Sequence, residues 1–139
     1  MATVLRAKLA EGHKYWIDKH RYYELKHLCL QYPVWKSAYV AFDNPSIPLS
    51  AIDNAPTSNL PGDPTAKRAM MKVYYSEKMS LIEKAAKEAD QYLYEYILKA
   101  VTEGLSYTYL KSKLDIPCSR DMYYDRYRRF FWLLSEARN

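Results

Sequence analysis

The residues best equipped for chemistry crowd into the last segment, SRDMYYDRYRRFFWLLSEARN, residues 119–139. Its arginines offer planar forks that grip guanine edges or phosphate oxygens. Tyr124 can donate to a phosphate or touch a thymine methyl, and Asp121 and Asp125 can accept from cytosine or orient neighbouring arginines. Tyr123, Tyr127, Phe130 and Leu134 recur at helical intervals and predict an inward stripe. Arg120, Asp121, Tyr124, Asp125, Arg126, Arg128 and Arg129 are left off that stripe. Two readings follow: a solvated arginine face on a plain amphipathic helix, or a face that contacts nucleic acid.

Other reactive residues offer less. His13, His20 and His27 are spaced by seven along one predicted flank, so adjacent imidazoles on a helix would stand roughly 10 Å apart, too far for a shared metal. An exposed basic flank with Lys14, Lys19 and Arg21 is the competing reading, and it could meet phosphate or a partner. Cys118 lies near a predicted helix start, a place that lowers a thiol pKa, so a redox switch stands against a small semi-buried turn residue. Gly12, Gly62 and Gly104 are the chain's three glycines and form no phosphate-cradling loop. No paired carboxylates or Ser-His-Asp order stand out, so no catalytic residue, cofactor or metal is expected, and the chain does not read as an enzyme.

The elements that must position the arginines read as helices. Leu5, Leu9, Trp16 and Tyr23, with Leu25 and Leu28, predict one helix over residues 4–31, open to interruption at Gly12 and ending before Pro33. Val34 to Phe42 predicts a second, short one. Residues 43–64 hold Pro45, Pro48, Pro56, Pro61 and Pro64 among Asn, Ser and Asp, which predicts a connector. Asp63-Pro64-Thr65 opens a helix carrying Ala66, Met70, Val73, Met79, Ile82 and Ala86, with Asp63 or Thr65 as its cap. A further helix is expected from about Ala89 to Glu103. Gly104 can end it in the left-handed conformation, and Ser106 can cap a short helix that buries Leu110 and Leu114. Ile116 packs the next turn and Pro117 stops continuation. Ser119 then caps the final helix, whose first turn holds Asp121 where a carboxylate meets the helix dipole favourably.

The expected fold class is all-α: an N-terminal helical segment (1–42), a Pro-rich loop (43–64), and a helical part (65–139) ending in a helix-turn-helix at about 91–139. Fifteen tyrosines against three phenylalanines suit a bundle with aromatic seams whose hydroxyls reach polar partners. A formal charge of +5 favours a polyanionic partner. That charge is uneven: residues 1–42 carry seven Lys/Arg against three acids, residues 105–139 seven against four, and residues 43–104 seven against nine. The two cysteines, Cys29 and Cys118, have no metal-type spacing, and no leader or disulfide framework is apparent, so the expected location is a reducing cytoplasm. No apolar run is long enough to span a membrane.

The stretch YILKAVTEGLSYTYLKSKLDI resembles the first half of the region-four type of helix-turn-helix in sigma factors, and Tyr123, Tyr127, Phe130 and Leu134 match the apolar positions of its recognition helix. Lys111 stands where that turn has a small residue and Asp115 where it has glycine, and residues 116–119 lengthen the turn. More widely, the chain resembles the ArpU and RinA type of phage and prophage transcriptional regulator. The likeness lies in a leading helix ending at Cys29-Leu30-Gln31-Tyr32-Pro33, a polar loop, the Asp63-Pro64-Thr65-Ala66-Lys67-Arg68-Ala69 opening and the terminal motif. It implies sequence-specific binding to double-stranded DNA near a promoter, in the cytoplasm of a bacterial host. On this reading Arg120, Tyr124, Asp125 and Arg126 stand nearest the bases, with Lys111, Lys113, Arg128 and Arg129 on phosphates. RNA polymerase and a second copy of the chain are further candidate partners. The alternatives are a helical protein-interaction adaptor, whose aromatic seam binds protein, and a small terminase-like DNA-packaging protein.

Overall fold

A computed structural model describes residues 12–52 and 62–138. The described residues form six α-helices and one short 3-10 turn, so the fold class is all-α. The helices are α1 (Lys19–Leu30), α2 (Tyr32–Asp43), α3 (Pro64–Ala89), α4 (Tyr94–Glu103), α5 (Tyr107–Leu114) and α6 (Arg120–Arg138), with the 3-10 turn at Leu49–Ala51. The expected helical start at residues 4–11 and the middle of the Pro-rich connector, 53–61, lie outside the described residues. No helix among the described residues is long and apolar enough to cross a membrane.

Residues 12–18, inside the stretch whose periodicity predicts one helix, are not helical, which matches the interruption left open at Gly12. His13 Nδ1 accepts from Tyr15 N at 3.0 Å, and Asp18 Oδ2 accepts from His20 N at 2.9 Å and Arg21 N at 3.3 Å. These side chains give the backbone non-helical partners, and Asp18 becomes the cap at which the helix starts. His13 therefore lies in a turn, off the helix that carries His20 and His27. Pro33 does not delay α2: it sits in the first turn, where a missing N–H leaves no bond unmade.

The chain divides into two compact units, Met1–Leu30 with Leu81–Asn139, and Gln31–Ser80. In the second, α2 and residues 64–80 of α3 bury Trp35, Ala38, Phe42, Met71 and Tyr75, with the Phe42 and Tyr75 rings stacked at 6.1 Å. Arg68 donates to the carbonyls of Phe42 (3.2 Å), Asn44 (3.0 Å) and Ile47, holding the chain as it leaves α2. Asp63 caps α3 by accepting from Thr65 N at 3.1 Å.

In the other unit α1 packs on α4 and α6, which pack on each other. Leu25, Ile82, Ile97, Leu110, Phe130 and Leu134 are wholly buried. Each such side chain contributes about 1.5–3 kcal/mol relative to exposure. The polar tyrosines are accommodated by pairing: the Tyr22 and Tyr127 hydroxyls meet at 2.6 Å inside the core, and both rings pack edge-on against Phe131. At the far end of α6, Arg21 donates to Ser135 Oγ (3.1 Å) and the Ser135 carbonyl (3.0 Å), and Glu24 accepts from both Arg21 and Arg138.

Candidate nucleic-acid interface

Gly104 ends α4 at φ 72°, and its N–H and that of Leu105 both donate to the Ala100 carbonyl, which closes the helix end. Ser106 Oγ then accepts from Tyr109 N at 3.2 Å and starts α5. The turn after α5 is built without glycine. Asp115 takes the left-handed conformation itself (φ 52°, ψ 48°), a region that Asp visits more readily than most residues. The N–H groups of Asp115 and Ile116 share the Leu110 carbonyl, and Ile116 is fully buried. Tyr107 Oη donates to the Cys118 carbonyl at 2.6 Å, tying the start of α5 to the end of the turn. Ser119 Oγ accepts from Met122 N at 3.2 Å and opens α6.

The inward stripe of Tyr123, Tyr127, Phe130 and Leu134 is buried, at 6% exposure or less. It is wider than its periodicity predicts, since Tyr124 and Phe131 are also buried, at 3% and 2%. Tyr124 therefore does not stand on the open face where the sequence placed it. Its ring meets Tyr123 edge-on at 5.0 Å and Tyr127 at 5.8 Å, because α6 is flanked by several helices rather than one.

Arg126 is engaged rather than open. Its Nε donates to Asp90 Oδ2 at 2.9 Å and its Nη1 to Asp125 Oδ2 at 2.5 Å. Asp90 is nearly buried and its other oxygen accepts from Tyr92 N (2.8 Å) and Leu93 N (2.9 Å). Burial pushes its carboxyl pKa up, yet the two amides and the guanidinium outweigh this and hold it below the usual value. Arg126 thus ties α6 to the turn that leads into α4 through Asp90, with Asp125 as its second partner, so both side chains are engaged in ion pairs. Arg128 and Arg129 are half-buried with their Nε atoms shut away, and Arg129 Nη1 approaches Tyr15 Oη at 3.5 Å.

The open cations are Arg120, Lys111 and Lys113. Arg120 leads α6, and its guanidinium lies over two rings, 5.6 Å from Tyr124 and 6.0 Å from Tyr107. Lys113 is exposed in the last turn of α5, and Lys111 is exposed while reaching the Ile116 carbonyl at 3.4 Å. All of Ser119, Arg120, Asp121 and Met122 are exposed, so the first turn of α6 is unobstructed within its unit. Met122 on α6 and Tyr109 on α5 are also exposed, each at 42%, and periodicity singles out neither. Their signal was positional: each falls off the buried row of its helix.

Compared with family models, with curated proteins and with solved structures, the chain matches none. Its chemistry therefore rests on the geometry above. Among the described residues no group of His, Cys, Asp or Glu is placed to hold a metal ion. Burial pushes the Cys118 thiol pKa up rather than down, so its place before α6 does not activate it, and it also pushes Cys29 up to about 12. What the arrangement offers is an exposed helix start carrying a guanidinium, with two ammonium groups on the preceding helix.

Proposed function

We propose that this chain binds double-stranded DNA sequence-specifically through α5, the turn at residues 115–119 and the first turn of α6, acting as a transcriptional regulator of phage or mobile-element genes. The observation that carries the reading is the unobstructed first turn of α6, at the end of three short-linked helices whose turns are fixed by Gly104, Asp115 and two serine caps. In helix-turn-helix proteins the second helix enters the major groove with its N-terminal residues on base edges. Arg120 and Met122 hold that position here, and Lys111 and Lys113 would neutralise phosphates beside it. The resemblance to ArpU- and RinA-type regulators supports the regulatory role. Titration of a mixed-sequence duplex against the full chain, followed by fluorescence anisotropy at low salt, should give saturable binding. At physiological salt the non-specific Kd should lie at roughly 10⁻⁴–10⁻⁶ M. An absence of binding at low salt would remove the proposal.

A second reading, a helical adaptor, draws on residues 31–80 alone. Val34, Val40, Met70, Val73 and Tyr74 are each more than 40% exposed there. Exposed apolar groups in one small unit suit a protein partner or a second copy of the chain. Light scattering of the chain alone, and then with host extract fractions, distinguishes a self-associating regulator from an adaptor that stays monomeric until its partner is added.

A further inference from the structure

Within the DNA-binding reading, on which this inference rests, the arginines of α6 are not equivalent. Arg126 is held by Asp90 and Asp125, Arg138 by Glu24, and the Nε atoms of Arg128 and Arg129 are closed off. Among the described residues no carboxylate pairs with Arg120. It is exposed on the first turn of α6, yet it is not a loose side chain, because its guanidinium rests over the Tyr107 and Tyr124 rings. Both rings are themselves fixed. Tyr124 is packed edge-on by Tyr123 and Tyr127, and Tyr107 is anchored by its hydroxyl on the Cys118 carbonyl.

We infer that Arg120 is the specificity-determining residue of the interface, reading a guanine in the major groove, and that Tyr107 and Tyr124 are positioning residues that hold its fork. A cation resting against aromatic rings gives up its π-facing side and keeps its N–H edge for a ligand. Guanine O6 and N7 form the adjacent acceptor pair in the major groove that such a fork fits, whereas a lone phosphate charge is served as well by lysine. The flexible ammonium groups of Lys111 and Lys113 already supply that second kind of contact.

The test is selection from a random-sequence duplex pool with the full chain, followed by affinity and salt-slope measurements on the selected site. Wild type should select a site with one strongly required guanine. Arg120→Lys keeps the charge but loses the fork, so discrimination at that one position should fall about ten-fold or more with the salt slope unchanged. Tyr124→Phe keeps the ring and should keep the specificity; Tyr124→Leu should relax it at the same base pair, with helical circular dichroism confirming that the variant folds. If Arg120→Lys selects the same guanine as strongly as wild type, or if wild type binds DNA with no guanine preference, the inference is wrong while DNA binding stands. A chain that binds no duplex at all overturns both.

Discussion

Asp90 shows what single residues do in this molecule. Its carboxylate joins two amide donors of the turn and one guanidinium, so replacing it removes two turn hydrogen bonds and an ion pair together. Asp90→Ala should destabilise the fold by about 1–3 kcal/mol. Asp90→Asn keeps an acceptor for the amides and should cost about 1 kcal/mol or less, as a partly exposed ion pair does. Because the folded-state pKa is depressed, the carboxylate's contribution is complete at neutral pH. It fades as pH falls through the ordinary aspartate value near ~3.9 and is gone below the folded value. Urea unfolding of wild type and Asp90→Asn at neutral and acidic pH should therefore show the gap close on acidification. Cys29 makes a second test. It is fully buried with its thiol pKa pushed up to about 12, so a disulfide reagent at mildly alkaline pH should label it only on unfolding, while half-buried Cys118 reacts in the native state. Equal native labelling of the two would contradict the packing of α1.

At the scale of elements, the two turns of the C-terminal motif solve one problem with different residues. Gly104 and Asp115 both sit in the left-handed region. A Cβ at Gly104 would meet nothing nearer than Leu30 Cδ2 at 3.7 Å, so Gly104→Ala should lose about 1–2 kcal/mol through backbone strain rather than a clash. Asp115→Gly relieves strain but loosens the unfolded chain, and it should change stability by no more than about 0.5 kcal/mol. Chemical denaturation of both variants checks this, and a large loss for Asp115→Gly would mean that its carboxylate does something the backbone account omits. These turns were legible in the sequence because capping is local: Ser106, Ser119, Asp63 and Gly104 announce themselves within a few residues. The Asp115 turn was half legible, since its register showed but its left-handed backbone did not. The break before α1 was half legible, since Gly12 left an interruption open but did not set its length. Trp16 and Tyr23 keep a helical rhythm across it, while the side chains of His13 and Asp18 bond the backbone of residues 15, 20 and 21. The clamp on Arg126 was hidden for another reason: periodicity assigns a residue to a face but does not say which distant carboxylate waits there. Nor did it show that Tyr124 is covered, because stripe width depends on how many helices surround α6.

At the scale of the whole molecule, a net charge of +5 is a weak guide, since much of the arginine charge in α6 is tied up in ion pairs or half-buried. The boundary between compact units at residues 80 and 81 falls inside α3, where no Pro or Gly marks it, because packing partners rather than backbone signals define it. The all-helical class, by contrast, was fixed by periodicity along most of the chain. If the exposed lysines of α5 and the first turn of α6 form a duplex-binding face as proposed, the affinity must depend on salt. Binding of the full chain to its selected duplex should weaken linearly in log–log form with salt. The Lys111→Ala, Lys113→Ala double variant should lower that slope by about two, close to one per phosphate contact, with its helical content unchanged. A wild-type affinity indifferent to salt, or a double variant with an undiminished slope, would show that these lysines do not meet phosphate.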